Sequence, residues 1–167
     1  AEGGAPHPPG YPLYVLWLRL ASLLPTETPA HASSLGTAAI GIATLAVIYQ
    51  AARRWYCSRL AAASAMAVYA LSPRTWLLVS HADNLALHFL IASLILFLAA
   101  PLSPVSNERR APLIGLVFGL GLANHHSILL LAPLGLWAIV RGGGGPKNMG
   151  VRFAKGLILS TKAFPAS

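Results

Sequence analysis

No Lys, Arg, Asp or Glu occurs between Glu27 and Arg53, between Asp83 and Glu108, or between Arg110 and Arg141. Each of these charge-free runs is mostly apolar, and a hydrocarbon core of about 30 Å demands about 20 such residues of a spanning helix. A single small domain has no core large enough to hide all of them. Overall 56% of the 167 residues are hydrophobic and 10% are charged, against roughly 25% charged in an ordinary soluble domain. The fold class that follows is all-α, a polytopic membrane helical bundle.

Net charge is +8 with a pI near 10.4. The basic residues sit at the ends of apolar segments, the positive-inside pattern, and not in a patch interleaved with aromatics. That excludes nucleic acid as a partner and makes the lipid bilayer one. The loops holding Arg53, Arg54, Arg59, Arg109 and Arg110 are expected on the cytoplasmic side. The single cysteine, Cys57, allows neither an internal disulfide nor a cysteine-built zinc site.

The pattern predicts a membrane domain over 1–141 and a Gly-rich linker with a basic tail over 142–167. Within the first, 11–24 is too short to span at 1.5 Å per residue and carries Arg19, so an interfacial helix is expected, with Tyr11, Tyr14 and Trp17 at headgroup level. Membrane helices are expected at 32–52, 60–80, 83–106, 111–123 and 125–140, about five crossings. Gly36, Ala38, Ala39, Gly41 and Ala43 in the first would let neighbours approach closely. Ala111 to Val140 is too long for one span and has arginines at both ends, which predicts a hairpin with Asn124-His125-His126 at its apex. The chain begins at Ala1 and ends in a nondescript basic tail, so a piece of a longer protein is expected.

This topology gathers the scarce polar residues on the face opposite the arginines: His7, the break from Arg74 to Asp83, and Asn124 to His126. Ionisable groups at membrane depth are costly and are functional candidates by default. His7-Pro8-Pro9-Gly10-Tyr11-Pro12 is stiff and non-helical, able to present His7 and Tyr11 or simply to lead into a helix. Asp83 is the sole acid within the apolar part of the chain. It could pair with Arg74, His81 or His88, or cap the helix entering at Asn84. A helix that included His81 would align His81, Asn84 and His88 on one stripe. Asn124, His125 and His126 could bind a phosphate or a sugar hydroxyl, or could cap a helix at headgroup depth. No HxxxH, HExxH or CxxC occurs, so no metal is expected; nor is there a GxGxxG, Walker, GxSxG or tandem-acidic motif.

His7-Pro8-Pro9-Gly10-Tyr11-Pro12-Leu13-Tyr14, Ser72-Pro73 with Trp76, Ala82-Asp83 with Ala86-Leu87, and Gly121-Leu122-Ala123-Asn124-His125-His126 running into Leu129 to Pro133 occur here in one order and spacing. Together they resemble the transmembrane protein 260 family, over roughly Pro6 to Val140. The family is similar to polytopic C-type glycosyltransferases, and its eukaryotic members are linked to protein O-mannosylation in the endoplasmic reticulum. The resemblance implies transfer of a sugar, mannose for choice, from a polyprenyl- or dolichyl-phosphate donor to Ser/Thr hydroxyls of an acceptor protein at the luminal face, without a further cofactor. It implies an endoplasmic reticulum membrane in a eukaryote and an inner membrane in a bacterium. Asp83, His125 and His126 are then the catalytic candidates. His7, Tyr11, Arg74, Trp76, His81 and Asn124 are the substrate-binding ones, lining one cavity, with Arg74 and the histidines stabilising the leaving phosphate. The family usually has Glu at Asp83, Tyr at Leu85 and often Asn at His88. Its first luminal loop carries an acidic motif before the His-Pro-Pro-Gly segment, which implies a catalytic carboxylate outside this chain. The alternative reading is a transporter or proton-coupled channel with His81, Asp83, His88 and the His125-His126 pair as a relay; the clustering of those histidines at one face speaks against it.

Overall fold

The structure, a computed structural model, describes residues 11–142. These form helices α1 (Pro12–Ala21), α2 (Pro29–Arg54), α3 (Arg59–Leu71), α4 (Pro73–Ser80), α5 (Asn84–Ala99), α6 (Asn107–Asn124) and α7 (Ala132–Gly142), with a 3-10 helix at His126–Leu131 between the last two. No strand occurs among the described residues.

Local sequence sets most of these boundaries. Pro12, Pro29 and Pro73 each stand in the first turn of a helix, where a missing N–H costs nothing. Thr28 and Ser58 cap α2 and α3 through side-chain oxygens that accept the N–H of His31 and Ala61. Asp83 caps α5 by accepting the Leu85 N–H at 2.8 Å.

α5 packs against α2 on one side and α6 and α7 on another. Apart from Asn84, His88 and Ser93 it is apolar all round, as an enclosed helix must be. One core cluster joins Tyr14, Ile40, Leu87, Ile91, Ile95, Phe118 and Ile128. A second, toward the other end of the bundle, joins Leu98, Ala99, Ala111, Ile114, Ala138 and Ile139. The small residues of α2 sit at close approaches. A Cβ added at Gly36 would lie 2.6 Å from the Ala21 Cβ, and one at Gly41 would lie 3.0 Å from Val79 Cγ2.

Several expected segments differ. The run 60–80 is not one helix. It breaks at Ser72, whose extended backbone (ψ 125°) is what a following proline enforces, and it yields α3 and α4 of 13 and 8 residues. The run 83–106 stops at Ala99, just before Pro101. His81 ends α4 and does not enter α5, so the stripe His81-Asn84-His88 does not form. After Asn124 the backbone of His125 is extended (φ −158°, ψ 130°), and the chain turns back along α6. Ile128 lies against Gly121, Gly135 against Ile114, and Ala138 in one cluster with Ala111. The return limb is a 3-10 helix followed by α7, not the single helix expected over 125–140.

Where about five crossings were expected, α2 with its 26 residues is the one described helix long and apolar enough to cross a membrane. The apolar segments 12–21, 59–71, 84–99 and 126–141 are shorter than 18 residues. Proline and polar punctuation cuts the apolar runs into pieces that the charge pattern alone reads as continuous.

Candidate functional site

The break between α6 and the 3-10 helix creates the site. Tyr11, Pro12, Leu122, Ala123, Asn124, His125 and His126 line an open cavity of about 420 Å³. The Tyr11 ring is parallel to His125 with centroids 6.0 Å apart, and His126 stacks on the other imidazole at 4.7 Å. Tyr11 is held for this contact in a left-handed backbone conformation (φ 42°, ψ 58°) that a tyrosine rarely adopts.

His125 caps the 3-10 helix: its Nδ1 accepts the Ser127 N–H at 3.2 Å. An Nδ1 that accepts a backbone N–H carries no proton itself, so the neutral ring is protonated on Nε2. The Ser127 hydroxyl, 2.7 Å from the same Nδ1, must then donate into it, and its oxygen accepts from His88 Nε2 at 3.2 Å. The order is therefore His88 Nε2–H to Ser127 Oγ–H to His125 Nδ1. That leaves the His125 Nε2–H as a donor uncommitted among the described residues. His88 lies on α5, its ring centroid 5.5 Å from that of His125.

A second polar tie closes the floor. Asn124 is 1% exposed, and its Nδ2 donates to the Asn84 carbonyl at 3.2 Å. This joins the end of α6 to the start of α5 and brings Asp83 beside the site. The Asn124 Oδ1 and Asn84 Nδ2 are buried without partners, an acceptor and a donor left unmatched. Behind them Tyr14, 5% exposed, shares a 3.1 Å hydrogen bond with Thr37. Burial pushes its hydroxyl above the ordinary tyrosine range, against the lowering effect of Thr37, and nearby Asp83 adds to the rise.

The expected residues divide. Tyr11, Asn124, His125 and His126 share the cavity; Asp83 does not line it and stands next to Asn84, whose carbonyl Asn124 holds. Asp83 spends one oxygen on capping α5 and makes no ion pair with Arg74, His81 or His88. Arg74 is exposed on α4. Trp76, 63% exposed, lines a separate apolar groove with Ala38, Gly41, Ile42, Leu45 and Val79. His81 Nδ1 is 3.0 Å from the Leu77 carbonyl on its own helix. The single cavity holding all of them is therefore narrower than expected, because the break at Pro73 carries Arg74 and Trp76 onto α4. His7 lies outside the described residues. His88 and Ser127 belong to the site although neither was among its expected members. The available signals were the Asn84/His88 spacing of one helical turn and the serine two residues after a helix-capping histidine. Among the described residues no three His, Cys, Asp or Glu side chains gather as a metal site.

A helical bundle with one helix fit to cross a bilayer, and a histidine- and asparagine-lined cavity where a helical hairpin turns, is a scaffold suited to handling polar ligands beside a membrane. Residues 2–143 match the family described as protein O-mannosyl-transferase TMEM260 N-terminal domain, and the chain belongs to that family. No curated protein and no solved structure matches it.

Proposed function

We propose that this chain is the membrane-embedded N-terminal part of a glycosyltransferase that moves mannose from a polyprenyl- or dolichyl-phosphate to a Ser/Thr hydroxyl of an acceptor protein. The face that carries the chemistry is the one opposite the arginine-rich loops, luminal in an endoplasmic reticulum membrane and outward in a bacterial inner membrane. One observation carries the reading: the tautomer of His125, fixed through Ser127, leaves its Nε2–H as a donor with no partner among the described residues, while His126 and Tyr11 stack with the ring in the cavity. As the sugar departs, negative charge grows on the phosphate oxygens, and donors held ready for that charge lower the barrier. The reaction also needs a carboxylate to take the proton of the acceptor hydroxyl. Asp83 is the acid next to Asn84, which Asn124 ties to this cavity. Its capping bond to Leu85 fixes the orientation of the carboxylate and suits it to orienting the acceptor or a donor cation.

Sugar transfer by the purified full-length protein, followed alongside its thermal stability, tests this. His125→Ala should lower kcat/KM by about 100-fold, the usual worth of a charge-stabilising donor. Asp83→Asn keeps size and capping ability, so it should lower turnover more than Tm. Full activity in both variants would remove these residues from the mechanism.

A further inference from the structure

The opposite end of the bundle holds arginines that pair with no acid among the described residues. Arg110, in the first turn of α6, is 7% exposed. One terminal nitrogen reaches the Val105 carbonyl at a long 3.4 Å, and its Nε is buried with no partner. Arg141 lies beside it at the end of α7, exposed, with its guanidinium 5.1 Å from the centre of the Trp137 ring. Trp137 in turn stacks on Trp55 at 5.7 Å, and Trp55 follows Arg54, whose Nε is also buried and unpartnered. Three helix ends thus carry arginines at this end of the bundle: Arg110 and Arg141 close enough to act on each other electrostatically, and Arg54 beside the Trp55 that stacks on Trp137. Glu108, the acid nearest in sequence, is exposed and pairs with none of them. The other acids of the described residues, Glu27 and Asp83, stand at the far ends of α2 and α5.

A buried cation without an anion is strongly unfavourable, and burial, with the like charge of Arg141 second, depresses the pKa of Arg110 below the usual arginine range. Guanidinium donors favour planar or tetrahedral oxyanions, which accept two N–H bonds at once. The N-terminus of α6 adds its positive end, and Ser106 places no side-chain cap over it. We propose that Arg110 and Arg141, flanked by Arg54, form a binding site for a phosphate oxyanion, presented either by an anionic phospholipid headgroup or by a soluble phosphate. The site is separate from the histidine cavity and does not depend on the reaction assigned to it. The positive-inside pattern puts this end at the membrane face where anionic headgroups collect.

The test is thermal unfolding of the full-length protein, read by tryptophan fluorescence. It is done in phosphatidylcholine vesicles, in the same vesicles with phosphatidylglycerol, and in phosphatidylcholine with inorganic phosphate replacing chloride at constant ionic strength. Occupancy of the site should raise Tm by about 5 °C. A rise with phosphatidylglycerol alone assigns the phosphate to a headgroup; a rise with inorganic phosphate assigns it to a soluble source. Arg110→Met, which removes the charge and keeps the packing, should raise Tm in pure phosphatidylcholine and abolish the further rise. Arg141→Gln, at an exposed position, should shrink that rise without changing the starting Tm, and it carries the test if Arg110→Met does not fold. No rise under either condition overturns the proposal. So does an equal rise in wild type, Arg110→Met and Arg141→Gln, which would be a general charge effect.

Discussion

Ala82 and Tyr11 share an unusual property: both hold positive φ, 50° and 42°, Tyr11 in the cavity wall and Ala82 just before Asp83. A left-handed conformation costs an L-residue roughly 1–2 kcal/mol, and such strain gathers where a side chain must be aimed. At Ala82 the turn delivers Asp83 to the start of α5. Ala82→Gly should therefore raise stability by about 0.5–1 kcal/mol, measured by thermal unfolding, because glycine adopts this φ freely. An unchanged or lower stability would mean that the turn is not strained. Ser127→Ala removes the hydroxyl that orders His88 and His125. It should cost about tenfold in sugar transfer, the worth of one well-placed hydrogen bond. The imidazole nitrogen spectrum should change from one His125 tautomer to a mixture, a readout that a mere packing role would not move. At this scale the sequence marked the polar side chains of the cavity but not their hydrogen-bond partners. Asn124, His125 and His126 stand out as an isolated polar group in an apolar stretch. Ser127 looks like any serine until the backbone at His125 extends and turns its Nδ1 onto the next N–H.

At the scale of elements, the hairpin from α6 into the 3-10 helix depends on Gly121. A Cβ there would lie 2.6 Å from Ile128 Cγ1 and 3.2 Å from both the Ile128 Cβ and the Ile91 Cγ2. Ile128 is fully buried on the return limb, so it has nowhere to move without lifting that limb off α6. Gly121→Ala should cost about 1–3 kcal/mol by overpacking, and it should lower sugar transfer as well, since Ile128 follows the turn that sets His125 and His126. The hairpin itself was legible, because equal charges at both ends of a run too long for one span leave few other solutions. The break of 60–80 into α3 and α4 was legible only locally. Ser72-Pro73 announces a stop, but the apolar count across it is enough for a span, and counting favoured continuity over punctuation. Trp76 and Arg74 were misplaced as a result, since their position follows from the direction α4 takes after that break.

For the whole molecule, the functional reading rests on polarity between its two ends: the histidine cavity at one, the arginines at the other. Within the bundle this is geometric. α2 runs from Pro29, near the cavity end, to Arg54. α5 runs beside it in the same direction, as the bond from Trp55 Nε1 to the Leu96 carbonyl at 2.9 Å requires. What the charge pattern adds is the expectation that the arginine end faces the cytoplasm. Cys57 makes this measurable, because it is the single cysteine and lies partly exposed in the turn after α2, with Arg53 donating to its carbonyl at 2.8 Å. An impermeant maleimide should label Cys57 only from the cytoplasmic side of sealed vesicles. The complementary probe is Leu122→Cys in a Cys57→Ser background. Leu122 is 42% exposed on the cavity wall, so substitution there disturbs little packing. It should react only from the opposite side. Labelling of both positions from one side would mean that α2 and α6 do not carry the two ends of the bundle to opposite faces of a membrane. The cavity and the arginine cluster would then share a compartment, and transfer from a lipid-linked donor on the far face would lose its physical basis. Labelling of the pair from opposite sides, but with Cys57 outward, would keep the geometry and reverse the orientation, against the bias that Arg53, Arg54, Arg109 and Arg110 impose.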